Sequence, residues 1–553
     1  MEYPDMTLTE MKRLVVSRPF PRTIFPVRAM KLVCGLLILV GCSQSLCATD
    51  YFLTIGGGYN PEGNQASLEA NVIFFQQVLD EKHRGLRMHD IFFADGHDTA
   101  SDLQVLSPNS SGQANGAFDL LASLHRGSNQ ETVEYRNHRV PRISGAIDPA
   151  LVRSSLQKIV KGAVRKDRLI IYVTAHGSPG SESDPYNTTI DCWNGKKITA
   201  REFVRWLEEL PPEVPVVMVM AQCYCGGFAR TIFNEMDSSK GLSTHLRAGF
   251  FAQQHYLPAA GCRPDIKHDE EFSSYFWGAM AGRSRNGVPI ATCDINGDGE
   301  VSFAEAYAYA VIVGDTIDIP LRTSDVYLRT YSRLPDDDQD GSQKGADGKS
   351  DAAAETESAV AAKKSPLNLA SVKGSLQSIV DQAPPVSRRI VTELSKLLGF
   401  EFKDDVRTVY KAYEKHLDSV PQAPRRGGRG RAGSGRRNLL REITEKWPEL
   451  GDDQHWEESL LLKPENQGKL RAEIKELPSW KSYDERRTQA EESARKAEQH
   501  ELRDVKFRRL IKGLEIIILE KNLPLVATPE IVQKYRQLIN LEESSFRTRS
   551  VGN

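Results

Sequence analysis

Two almost unbroken apolar segments constrain this chain more than any other feature of its 553 residues. Leu169–Thr174 reads LIIYVT, and Val214–Met220 reads VPVVMVM. A strand with one wet face alternates apolar and polar residues; one that is apolar throughout must be covered on both faces. Between the two lies a helical pattern, Thr199–Leu210, with Thr199 placed as N-cap and Glu202 three residues on. The same alternation precedes and follows them. Strands are predicted at Tyr51–Ile55 (ending in Gly56-Gly57-Gly58), Asp90–Ala94 and Arg247–Ala252, with helices over Leu68–Leu79 and Pro149–Val164. Ser107–Pro141 reads as a long loop with a short helix near Phe118–Leu124. The expected fold is α/β, a mostly parallel sheet flanked by helices.

In such sheets functional groups gather at the carboxyl ends of the strands. His176-Gly177 stands just beyond the first apolar run and Cys223 just beyond the second, 47 residues apart. A thiol of pKa about 8.5 is only partly ionised at neutral pH. A neighbouring imidazole can take its proton and deliver one to a leaving amine. Gly177 lets a substrate backbone come close, and Gly226-Gly227 give a tight turn expected to face N–H groups toward an oxyanion. Cys225 is the alternative nucleophile.

These segments resemble the caspase–haemoglobinase group of cysteine peptidases, nearest the legumain-like branch. That branch ends its strands in T-D-H-G and E-A-C-x-S-G; here the stretches are Thr174-Ala175-His176-Gly177 and Ala221-Gln222-Cys223-Tyr224-Cys225-Gly226. The opening FLTIGGGYNPEGNQASLEANVIFF is similar to its first strand and helix, so the resemblance spans about Asp50–Arg283. It implies a caspase-like fold and a cysteine endopeptidase with catalytic His176 and Cys223, acting on a peptide or protein substrate. Ala175 and Ala221 stand where the branch has acidic residues, and Cys225 where it has Ser. Asparagine or aspartate specificity is therefore not carried over. The lost carboxylates keep a second reading open, an inactive peptidase fold that serves as a calcium-binding cell-envelope interaction protein.

Asp294-Ile295-Asn296-Gly297-Asp298-Gly299-Glu300-Val301-Ser302-Phe303-Ala304-Glu305 fits the EF-hand calcium loop. Asp294, Asn296, Asp298 and Ser302 fall at positions 1, 3, 5 and 9, Glu300 offers its carbonyl, and Glu305 is the bidentate ligand at 12. Gly299 supplies the turn, and a helix Phe303–Val313 follows. Bound Ca2+ is expected to be structural or regulatory. A second acidic stretch, Asp336 to Asp347, has Gln343 at the aliphatic position and reads as linker.

Five regions are expected: an N-terminal extension and leader (1–48), a peptidase-like domain (49–290), the EF-hand-like segment (291–333), a low-complexity linker (334–384) and a charged helical region (385–553). In the leader, Lys31 precedes the apolar run Leu32–Val40, too short to span a bilayer and suited to a secretory signal. Leu39-Val40-Gly41-Cys42 resembles the bacterial lipobox, which implies a lipid on Cys42 and membrane anchoring; the alternative is cleavage near Ala48 and plain secretion. Met30 as the start would give a signal of normal proportions. Either way the protein is expected to be exported. Three of the 8 Cys lie in the leader, and the odd number left implies a free thiol. In the C-terminal region Val386–Leu398, Val406–Leu417 and Glu485–Glu520 read as helices, with breaks at Pro448, Pro464, Pro478 and Pro524. Residues 425–437 (RRGGRGRAGSGRR) read as a flexible basic run able to contact a polyanion. No aromatics interleave there, and the net charge is −2, so no specific nucleic-acid binding is indicated.

Overall fold

The computed structural model describes residues 48–547, except 107–115, 127–132, 266, 269, 336–368, 420–427, 453–455 and 457. The leader with Cys42 and the acidic stretch 336–347 lie outside the described residues. The elements run in order β1 (Thr49–Gly57), α1 (Ala66–Lys82), β2 (Leu86–Phe93), β3 (Leu103–Leu106), α2 (Ala117–Arg126), β4 (Val133–Arg136), α3 (Pro149–Gly162), β5 (Arg168–Ala175), β6 (Thr189–Asp191), β7 (Lys197–Thr199), α4 (Ala200–Leu207), β8 (Val216–Met220), β9 (Arg247–Phe251), α5 (Phe272–Ala281), α6 (Phe303–Val313), β10 (Leu321–Arg322) and α7 (Thr323–Tyr331). The C-terminal helices are α8 (Leu376–Val380), α9 (Pro385–Leu398), α10 (Val406–Asp418), α11 (Gly428–Lys446), α12 (Pro464–Lys475), α13 (Trp480–Val526) and α14 (Pro529–Glu542).

Six strands form one sheet in the order β10-β9-β8-β5-β1-β2. All neighbours are parallel except the β9–β10 pair. Every residue of β5, β8 and β9 is buried, the apolar ones as expected and Arg168 and Arg247 through polar partners, Asp50 for the first and His245 for the second. Helix α4 starts as its sequence dictates: Thr199 accepts from the Glu202 amide while the Glu202 carboxylate accepts from the Thr199 amide.

Several boundaries depart from the sequence expectation. The loop expected over 107–141 contains β4, which pairs antiparallel with β3; Leu103 to Leu106 is too short and too isolated to stand out as a strand. Residues 372–383, expected as linker, are packed: Val372, Leu376, Ile379, Val380 and Ala383 are all buried. The basic run is not wholly flexible, since residues 428–437 lie in α11. Pro524 does not end α13, which continues to Val526. A proline in the last turn forfeits one hydrogen bond without forcing a break before it.

The C-terminal helices share the core of the sheet. Phe546 is 4% exposed and packs among Phe52 of β1, Trp277 of α5 and Phe303 of α6. Glu542 of α14 pairs with Arg322 at 3.4 Å and accepts from Ser324 N–H at 3.0 Å, both partners buried. At the amino ends of β1 and β5, Asp50 binds Arg168 at 2.9 Å and Arg547 at 3.2 Å.

Candidate active site

Strand order in the sheet reverses between β1 and β5, because the chain moves from β1 out to β2 and then returns to the other side of β1. Such a switch point opens a crevice outside the carboxyl ends of the strands. His176 is the residue after β5, at this crevice. Val173 of β5 pairs with Met220 of β8, so His176 and Cys223 each stand three residues beyond matched positions on adjacent parallel strands. Neighbouring strands lie about 4.8 Å apart. The close approach is visible at Gly177, where a Cβ would lie 2.3 Å from the Cys223 carbonyl oxygen and 2.8 Å from that of Thr189. No side chain larger than hydrogen fits.

The His176 ring is held by the loop after β1. Its Nε2 lies 2.7 Å from the Gly63 carbonyl oxygen and 3.1 Å from Gln65 Oε1. Both partners accept, so Nε2 carries the proton and Nδ1 is the basic atom. Gly58 makes this acceptor position reachable, since a Cβ there would meet Gly63 O at 2.1 Å. Asn64, fully buried, ties the loop down: Oδ1 accepts from the Gly58 amide at 3.0 Å and Nδ2 donates to Asp102 O at 2.9 Å. Tyr59 stands edge-on to the imidazole, ring centroids 5.1 Å apart. Burial holds the His176 pKa below its ordinary value, opposed by the Gly63 hydrogen bond and by Asp191.

Cys223 Sγ is half-buried and accepts from the Ala259 amide at 3.3 Å. Burial raises its thiol pKa and the Ala259 hydrogen bond partly offsets the rise, so burial favours the neutral form of both the thiol and the His176 imidazole. Tyr224 follows at φ 61°, the left-handed region, which turns the chain sharply away from the thiol. The turn forms as expected, but its amides serve it internally: Tyr224, Cys225 and Gly227 N–H donate to Leu257, Gln222 and Tyr224 carbonyls. Gly227 N–H therefore does not face an oxyanion. Gly226 is required by packing, because a Cβ would lie 2.6 Å from the His255 amide nitrogen. Cys225 is fully buried, its thiol enclosed by the Gln253 backbone and pushed up by burial, a poor nucleophile.

A groove of about 830 Å³ lies next to these residues, although neither His176 nor Cys223 lines it. Gln65 and Ala259, which touch His176 and Cys223, line it at one end. Cys262, Thr316 and, from α13, Glu498 and Glu501 continue its walls. No local pattern announces this contribution of α13, nor that of the Ala259 loop, since both reach the site only through tertiary packing.

The loop Asp294–Glu305 has the turns of its pattern. Gly297 and Gly299 take φ of 76° and 88°, and Asp294 accepts from both of their amides. Asn296 and Asp298 accept from the amides two residues on. Helix α6 leaves the loop with Ser302 as N-cap, but no helix enters it; α5 ends at Ala281. Glu305 is buried, and its carboxylate accepts from Ile295, Asn296 and Ser302 amides and from the Ser302 hydroxyl. Asp294, Asp298 and Glu305 do not bring their oxygens within 4.8 Å of one another. The donor set is chemically right for a hard cation, and Glu305 must exchange backbone contacts for it.

Among the described residues Asp95, Asp102 and His138 do converge within that distance. His138 Nδ1 accepts from the Val140 amide at 3.3 Å and Nε2 lies 2.9 Å from Gly96 O, so the imidazole presents no lone pair to a cation. Burial and the neighbouring Asp102 push the Asp95 carboxyl up to about 7, the signature of a carboxyl pair sharing a proton.

No family model and no curated protein matches the chain. Among solved structures it has a likeness to a structural-genomics target from Geobacter sulfurreducens, 10% identical, covering 50% of this chain and 93% of that one at a TM-score of 0.29. No helix among the described residues is long and apolar enough to cross a membrane.

Proposed function

We propose that the chain is a cysteine endopeptidase of the caspase–haemoglobinase type, exported to the cell envelope or beyond, with Cys223 as nucleophile and His176 as base. The observation that carries this reading is the register: imidazole and thiol stand at matched positions past β5 and β8, with the imidazole fixed by Gly63 so that its basic nitrogen is Nδ1. As Sγ attacks the scissile carbonyl, its proton passes to His176, and the carbonyl carbon becomes bonded to sulfur. The imidazolium then protonates the leaving amine, and water, deprotonated by His176, releases the acid and restores the thiol. A neutral pair suits this order of events, because the proton moves with the attack and no charge is stored in a half-buried site.

Ca2+ is proposed at Asp294, Asn296, Asp298, Ser302, Glu305 and the Glu300 carbonyl, where it would screen three carboxylates and fix the start of α6. The Cys42 lipid, the polyanion contact of 425–437 and export are carried by the sequence alone.

The alternative, a binding protein on the same fold, is favoured by the raised Cys223 thiol and by the missing acidic residues at 175 and 221. A peptide-library cleavage assay with purified wild type, Cys223→Ala and Cys225→Ala separates the readings. Cleavage lost in Cys223→Ala and kept in Cys225→Ala is expected. Full cleavage by Cys223→Ala overturns the assignment, and no cleavage or thiol-probe labelling in wild type leaves the binding protein.

A further inference from the structure

The long helix α13 presents Lys506, Arg509 and Lys512 three residues apart, and all three grip the segment between α6 and α7. Arg509 is 3% exposed. Its Nε donates to Asp318 O at 2.8 Å; one terminal nitrogen donates to Val311 O at 2.9 Å and Gly314 O at 2.7 Å; the other to Thr316 O at 3.1 Å and Thr316 Oγ1 at 3.3 Å. All five donors of the guanidinium are used on the last turn of α6 and the loop that follows it, and no carboxylate takes any of them. A buried cation bound wholly to carbonyls and a hydroxyl is an expensive way to close a loop, and apolar packing would hold two helices as well.

The loop it closes leads to the thiol. Asp318, 1% exposed, accepts from the Ala260 amide at 2.8 Å through one oxygen and from the Thr316 hydroxyl at 3.0 Å through the other. Gln253 braces the same pair of loops, donating to Pro258 O and Ile317 O, each at 3.2 Å, and accepting from the Ile319 amide. The neighbouring Ala259 amide donates to Cys223 Sγ, and Leu257 O receives the amide of Tyr224. We infer that Arg509 is a positioning residue for Cys223, acting through Asp318 and the 257–260 loop, so that the C-terminal helical region is part of the reactive site. This rests on Cys223 being the reactive thiol, as proposed above, and not on the identity of its substrate.

An N–H aimed at sulfur favours thiolate over thiol, so loosening Ala259 raises the pH at which Cys223 becomes reactive. The test uses full-length protein and variants Arg509→Lys and Arg509→Met. Alkylation of Cys223 by iodoacetamide is followed against pH by peptide mass mapping, with kcat and KM on a cleaved peptide beside it. Arg509→Lys keeps the charge and at most three of the five bonds, and guards against loss of fold in the methionine variant. The expected result is a reactivity midpoint moved upward in Arg509→Lys and further in Arg509→Met; the Asp318 and Asp191 carboxylates, which face Cys223 and already hold its thiol up, are left in place by both variants. A tenfold or greater fall in kcat with little change in KM is expected beside it. A purely structural role would lower the melting temperature and leave the midpoint of the folded protein where it was; that result in Arg509→Lys and Arg509→Met overturns the inference. If wild type cleaves no peptide yet the midpoint moves, the positioning role stands and the peptidase reading falls. If wild type cleaves and the midpoint does not move, the reverse holds.

Discussion

Replacing Gly177 by alanine puts a methyl carbon 2.3 Å from the carbonyl oxygen of Cys223 and 2.8 Å from that of Thr189. Ordinary contact begins at 3.4 Å, so the nearer contact is short by 3.4 less 2.3, about 1.1 Å. Residues 189–191 cannot retreat alone, because Thr189 N–H donates to Ser178 O and Asp191 N–H to His176 O. The displacement therefore falls largely on Cys223. Gly177 is not in the left-handed region, so the effect comes from space and not from backbone strain. A misplacement of about 1 Å costs on the order of 10²-fold in rate, and overpacking costs about 1–3 kcal/mol of stability. Gly177→Ala is expected to lower kcat about a hundredfold with KM changed far less, and to lower the urea midpoint at unchanged m-value. Steady-state kinetics on a library-selected peptide and urea melts by circular dichroism measure both. Wild-type kcat and wild-type stability together would refute the close approach of the two strand ends.

Calcium should raise the melting temperature of chelator-stripped protein, by about 2.7 kcal/mol of stabilisation at a hundredfold excess over Kd. Asp298→Ala should abolish the rise, and it is a cleaner variant than Glu305→Gln because Glu305 also caps α6; no rise in wild type counts against the site. Glu542→Ala leaves Arg322 buried without its α14 partner and should cost about 3–5 kcal/mol, read as a urea midpoint shift; a loss under 1 kcal/mol would show the pair to be dispensable. His245, 2% exposed, accepts the Nε–H of Arg247 at 2.9 Å, and burial followed by that cation pushes its pKa down to about 3. The unfolded chain takes up this proton near pH 6.5 and the folded chain does not. Stability is therefore fully present above about pH 6.5 and is lost as pH falls toward about 3, by a few kcal/mol. His245→Gln should flatten that limb in urea unfolding run across pH, and an unchanged limb would refute the assignment.

Local patterns settled a good deal. LIIYVT and VPVVMVM are almost wholly apolar because both faces are covered, so two central strands were legible directly. The Thr199–Glu202 box and the glycines of the 294–305 loop were equally legible, since each rests on contacts within a few residues. His176 and Cys223 were found as residues past strand ends. Only β-register, which pairs Val173 with Met220, sets them at matching positions beyond adjacent strands. Tertiary structure alone decided the rest. Gly63 fixes the imidazole from 113 positions away along the chain, Ala259 holds the thiol from 36, and Arg509 secures Asp318 from 191. Nothing in the charged C-terminal residues shows that they complete the core, because their apolar stripe fits any partner. Placing Phe546 against Trp277 and Glu542 against Arg322 takes contacts between residues more than 200 positions apart, which no local periodicity encodes.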